Sequence, residues 1–129
     1  VISRDYLLRQ IQQAIQVLAQ VLLQKQDGDP AGAYAALAEG IEAVTGVTLE
    51  RLRQRPLADI LDAASDEGTF SPEKAAALAQ LLAEDDAPAS RVRARWLYEA
   101  VLASGGPVPL DIRERIAALP AHEPGTRGA

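Results

Sequence analysis

No cysteine occurs among the 129 residues, and the only histidine is His122. Disulfides and thiol nucleophiles are thereby excluded, as are most structural zinc sites, since zinc is held chiefly by Cys and His. Methionine and asparagine are also missing, and arginine far outnumbers lysine. That bias fits a thermophile or a GC-rich genome and separates neither. No apolar run approaches the ~18–20 residues a membrane-spanning helix needs. No stretch of β-branched and aromatic residues alternates at period two between turn signals, so strands are not expected. The opening VISRDYLLRQ lacks a basic region followed by an apolar run and a small-residue cleavage site, which points to a cytoplasmic protein. The net charge of -5 argues against a general nucleic-acid binder, whose affinity comes mainly from neutralising phosphates.

What is present reads as helix. Hydrophobic residues make up 48% and charged residues 24%, a globular balance, and the length suits one domain, expected over residues 1–119 with a flexible tail over 120–129. The expected fold is all-α: antiparallel helix pairs, about six or seven helices, packed against a long N-terminal helix. That first helix is expected from a Ser3 cap to about Gln26. In it Leu8, Ile11, Ile15, Leu18 and Leu22 alternate spacings of three and four, and Leu7, Ala14 and Val21 widen the stripe into a broad buried face. DGDP at 27–30 punctuates the chain, with Asp29 as cap and Pro30 at the first position of a helix reaching about Thr45. Tyr34, Leu37, Ala38, Ile41 and Val44 form its apolar side. Gly32, Ala36 and Gly40 make a line of small residues where another helix can come close.

Thr48 opens a short helix that must stop before Pro56, and Leu57, Ile60, Leu61 and Ala64 form the next stripe. A loop over 65–70 leads to Ser71 and Pro72, which start a helix of about residues 72–84. Helices of about 90–103 and 109–119 complete the chain.

At an offset of 40 residues RLRQRPLADIL aligns with RVRARWLYEAV, matching Arg51, Arg53, Arg55 and Leu57 with Arg91, Arg93, Arg95 and Leu97. Ala33, Leu37 and Gly40 after a GD turn resemble the second half of a tetratricopeptide repeat. The first-half positions hold Val17, Gln20, Val21 and Gln24 in place of Trp, Leu, Gly and Tyr, so the likeness extends to tetratricopeptide-like helix packing and no further. The opening RDYLLRQIQQ, with Asp5, Tyr6, Leu7, Arg9 and Ile11, resembles a family of small all-helical bacterial proteins of unknown function. The resemblance implies an all-helical fold and a bacterial cytoplasmic origin. It transfers no activity, ligand or catalytic residue.

Chemistry-bearing clusters are few. DAASDEGTFSPE, residues 62–73, has Asp at positions 1 and 5 and Glu at 12 of a calcium loop, but Ala64 stands at position 3 and the glycine falls at 7 instead of 6. His122 beside Glu123 has no further ligands nearby. Asp85 and Asp86 lie in a turn, placed to meet the positive end of the following helix. The pairs Glu39/Glu42 and Asp59/Asp62 have the spacing of solvated helix faces. No glycine-rich nucleotide loop is present. The stretch SRVRARW alternates Arg91, Arg93 and Arg95 before Trp96, but helical geometry places Arg91 and Arg95 on one face and Arg93 amid Trp96, Leu97 and Ala100. Arg93 is therefore expected to be buried on a carboxylate, with Asp62, Asp66, Asp85 and Asp86 as candidates.

These features point to a protein interaction or assembly module without cofactor or metal. Its expected partner is a second copy, in a homodimer through Leu8, Ile11, Ile15, Leu18 and Leu22. The alternative is a binder of a small anionic ligand or acidic peptide at a groove of Arg91, Arg93, Arg95 and Trp96. An enzyme ranks third.

Overall fold

Prolines set the start of four helices. Pro30, Pro72 and Pro88 stand at the first turns of α2 (Pro30–Thr45), α5 (Pro72–Ala83) and α6 (Pro88–Ala103), where a missing N–H costs nothing, and Pro56 precedes α4 (Leu57–Ala63). The computed structural model describes residues 2–124, and side chains from residue 4 onward. The remaining elements are α1 (Ile2–Gln26), α3 (Leu49–Leu52), β1 (Ser65–Asp66), β2 (Thr69–Phe70) and α7 (Ile112–Ala117). Three expected caps are in place. Asp29 accepts the Gly32 N–H at 2.9 Å, and the Thr48 and Ser71 hydroxyls accept the N–H groups of Arg51 and Lys74, each at 3.2 Å. Gly46, at φ 75°, ends α2 in the left-handed conformation, its N–H donating to the Glu42 carbonyl.

The fold is all-α. Its most extensive contacts join α1 to α2 and α5 to α6, and α5 also packs on α1. The first pair is antiparallel: Gln10 near the start of α1 donates to the Val44 carbonyl at the end of α2 (3.3 Å), and Val17 lies against Gly40. Helix α5 is buried almost all round through Ala75, Ala77, Leu78, Ala79, Leu81 and Leu82, and its alanines let α1 and α6 close on it from either side. Leu37, Ile41, Ile60, Leu97, Tyr98 and Val101 complete the core.

Several expectations are corrected. The first helix buries Ala14 and Val21 with Leu7, Gln10, Val17 and Leu18 half-buried beside them, whereas Leu8, Ile15 and Leu22 are exposed; the broad buried face is one edge only. Val17 decides this, because its contact with Gly40 fixes the rotation of α1 against α2. Ser3 falls inside α1. Tyr34 and Leu57, expected inward, are exposed. The loop over 65–70 is a two-residue antiparallel hairpin, Ser65 opposite Phe70 and Asp66 opposite Thr69, turning on Glu67 (φ 50°) and Gly68 (φ 81°). Two positive φ angles are the pattern of a tight primed turn. Helix α6 begins two residues earlier than expected, at Pro88, and the last helix is trimmed to Ile112–Ala117. The 40-residue offset has no structural counterpart, since Arg51–Leu57 straddles a turn and Arg91–Leu97 lies within one helix.

The α1–α2 contact yields a quantitative expectation. A methyl group on Gly40 would overlap the β-branched and therefore stiff Val17 side chain. Gly40→Ala should destabilise the protein by about 1–3 kcal/mol in urea unfolding despite alanine's better helix propensity, and adding Val17→Ala should recover part of the loss.

Candidate functional site

Every arginine of the SRVRARW stretch reaches a backbone carbonyl where another segment stops. Arg91 Nη1 donates to the Ala83 carbonyl at the end of α5 (2.6 Å), and Arg95 Nη1 to the Leu119 carbonyl beyond α7 (2.9 Å). Arg93 sends Nε and Nη2 to the Arg55 carbonyl at 3.0 and 2.8 Å, and Nη1 to the Ala89 carbonyl at 3.0 Å. Arg55 and Leu119 each precede a proline, which disfavours helical geometry in the residue before it, so the chain ends a turn there and leaves its carbonyl free. The guanidinium groups supply the missing donors.

Arg93 is 5% exposed and lies over the Trp96 ring at 4.8 Å from its centroid. Its carboxylate partner is none of the four expected aspartates but Glu123, at 2.7 Å. The segment expected to be flexible from residue 120 is thus tied back as far as Glu123, and residues 125–129 lie outside the described residues. Arg95 pairs with Glu99 four residues on, at 3.3 Å. The three arginines therefore diverge. Arg91 and Arg95 line different cavities, while Arg93 and Trp96 are spent on each other and on the chain's own backbone.

The ion pair with the most deeply buried carboxylate joins residues that no motif in the sequence connects. Arg53, on the turn after α3, grips Asp85 through Nε at 3.0 Å and Nη2 at 2.8 Å, and the Ser90 hydroxyl donates to the same carboxylate. Asp85 also accepts the Ala87 N–H at 3.3 Å, so it anchors the entry to α6. Burial opposes the Arg53 charge, but the hydrogen bond and charge of Asp85 outweigh it and hold the guanidinium above its ordinary pKa. Arg53 also lies near the Tyr34 ring, which explains that tyrosine's outward place. Arg53 stands 32 residues from Asp85, a separation that no local spacing rule spans.

Lys74 is buried, with Nζ donating to the Ser65 carbonyl at 3.3 Å; burial lowers its pKa, and Asp66 and Asp62 partly offset this. The would-be calcium loop is thus a hairpin whose carbonyl binds a lysine. Among the described residues no group of three or more His, Cys, Asp and Glu side chains is placed to hold a metal ion, and no helix is long and apolar enough to cross a membrane. Glu39, Glu42, Asp59 and Asp62 are exposed, as is His122.

Two surface features remain. On α1, Leu8, Ile15 and Leu22 are 44%, 55% and 46% exposed, with Ile11 and Leu18 half-buried between them. Where the ends of α1 and α5 meet α6 and α7, an open cavity of about 310 Å³ is lined by Lys25, Ala83, Glu84, Arg91, Tyr98 and Arg115, with Ala118 and Leu119 beside them. Lys25 bonds the Glu84 carbonyl at 2.7 Å and its carboxylate at 3.0 Å; Arg115 bonds Asp111 at 2.8 Å and the Tyr98 oxygen at 3.2 Å. No family model, curated protein or solved structure matches the chain.

Two outcomes are expected from this geometry. Arg93→Ala removes both donors of the half-buried Arg55 carbonyl and the buried side chain that lies over Trp96, and should cost about 3 kcal/mol, whereas Glu123→Gln, which alters a half-exposed partner, should cost less than about 1 kcal/mol, both measured by chemical denaturation. Burial raises the Tyr98 pKa above 10.0, partly countered by the Arg115 hydrogen bond. The phenol of the unfolded chain ionises first, so this residue's contribution is intact below pH 10 and is lost as pH rises through the raised value. Urea midpoints should fall more steeply above pH 10 in the wild type than in Tyr98→Phe.

Proposed function

We propose that this protein is a non-catalytic assembly module that self-associates as a homodimer through α1. The observation that carries this reading is the outer face of that helix. Residues 10–24 contain no charged side chain in a chain that is 24% charged, although Ile15, Leu22, Leu23 and four glutamines there face solvent. An ordinary solvated helix face is charged; this one can be covered without stripping water from ions.

Spacing favours another helix as the cover. Leu8, Ile15 and Leu22 recur every seventh residue, with Ile11 and Leu18 between them, which is the a/d pattern of helix-helix seams. Symmetry favours a second copy. Leu8 and Leu22 stand seven residues to either side of Ile15, so a two-fold axis through Ile15 lays Leu8 of one copy on Leu22 of the other in an antiparallel, self-complementary pair. Tetratricopeptide-like packing of helix pairs and a place in the bacterial cytoplasm, which the RDYLLRQI resemblance implies, belong to the same reading.

Light scattering over a concentration series tests it. A dimeric molar mass is expected for the wild type, and a monomeric mass with an unchanged melting temperature for Ile15→Glu. Because the chain has no cysteine, single thiols report the geometry: Leu8→Cys mixed with Leu22→Cys should cross-link, and Leu8→Cys alone should not. A monomeric wild type up to high micromolar concentration rules the reading out.

A further inference from the structure

We infer that the cavity between the ends of α1, α5, α6 and α7 binds the phosphoryl group of a small molecule. The site uses no residue of the α1 seam and stands independently of the dimer. Its walls are rich in unspent donors and poor in acceptors. Three cations converge from three helices, Lys25 from α1, Arg91 from α6 and Arg115 from α7, and the only carboxylate in the lining is Glu84. That carboxylate is taken by Lys25, and the carbonyls of Ala83 and Glu84 are taken by Arg91 and Lys25.

The donors left over belong to side chains that line the same cavity. Arg91 uses only Nη1, so its Nε and Nη2 donate to no described residue. Arg115 uses Nε on Asp111 and Nη1 on Tyr98, leaving Nη2. Tyr98 is 1% exposed, and its oxygen accepts from Arg115, but its own hydrogen goes to no acceptor among the described residues. A buried phenol with an undirected O–H, bonded by one guanidinium group and lining the same cavity as a second, matches an occupant that only accepts.

The arrangement selects among anions. A planar carboxylate is well met by one guanidinium fork, as both oxygens of Asp85 are by Nε and Nη2 of Arg53. Here the donors approach from three helices, which suits the tetrahedrally disposed oxygens of a phosphoryl group. A cavity of about 310 Å³ gives room for a phosphate carrying a small organic group. Of the arginines singled out in the sequence, Arg91 alone belongs to this site. Its partners, Lys25 and Arg115, stand 66 residues before it and 24 after it.

Calorimetric titration of the full chain with inorganic pyrophosphate, at ionic strength held constant with chloride, tests the assignment. Saturable binding at one site per chain is expected. Arg91→Gln should weaken it at least about tenfold, and Tyr98→Phe, which keeps the ring packing and removes only the O–H, by several-fold. Arg113→Gln, an exposed arginine on α7 that lines a different cavity, should leave it unchanged. If Arg91→Gln fails to fold by circular dichroism, Tyr98→Phe and Arg115→Lys, which keeps the charge and loses the planar fork, carry the comparison. Absence of saturable heat overturns the proposal. So does equal weakening in Arg113→Gln, which would mean general charge attraction, or tighter binding of citrate than of pyrophosphate, which would assign the site to carboxylates.

Discussion

A helix that ends in the interior leaves carbonyls without donors, and most of this fold depends on how that deficit is met. Pro56 and Pro120 stop two segments abruptly, and α5 stops at Ala83. Helix α6 answers all three with one side chain each: Arg93 to Arg55, Arg95 to Leu119 and Arg91 to Ala83. An arginine suits this role because its donors are fixed in a plane and its charge faces the negative end of the segment it closes. The alternating arginines, which on the sequence could also line an anion-binding groove, are thus ties by which α6 holds the α3–α4 turn, α5 and the C-terminal segment in one unit, with Arg91 keeping donors to spare.

The Arg53–Asp85–Ser90 network complements those ties from the other direction. Asp85 is buried, and its carboxylate is met by the Arg53 side chain, the Ser90 hydroxyl and a backbone N–H. Desolvation offsets much of what such a buried charge gains from its partners, whereas removing one partner leaves the charge uncompensated and is strongly destabilising. The network fixes the angle at which the chain enters α6, and therefore where its arginines point. No buried side-chain nitrogen or oxygen lacks a partner among the described residues.

Against this tightly satisfied interior the uncharged outer face of α1 stands apart. The α1–α2 contact is made by Val17 on Gly40, with Gln10 bonding Val44 and Ala14 and Val21 buried on the same edge. The close contact at Gly40 sets the rotation at which Leu8, Ile15 and Leu22 face solvent while Ile11 and Leu18 stay half-buried. The apolar content of α1 exceeds what the monomer's interior uses, and that surplus supports its reading as an assembly surface.

Periodicity, capping residues and prolines determined the helices and their order, because those effects act within a few residues along the chain. Asp29, Thr48 and Ser71 cap where their positions required, and Gly46 ends α2. Burial of Arg93 was legible from its place among apolar neighbours on the helical wheel. Its partner was not: the aspartates near it in the fold's expected turns are used by others or face solvent, and Glu123 arrives from 30 residues away. The face that α1 buries was equally beyond reach, since a stripe of three-and-four spacing offers two edges and only the Gly40 contact chooses between them. The cavity of Lys25, Arg91, Arg115 and Tyr98 combines residues of three helices and exists only once they are packed. Local backbone chemistry is written in short spacings; the pairing of charges and the choice of buried face depend on distances that the chain acquires only on folding.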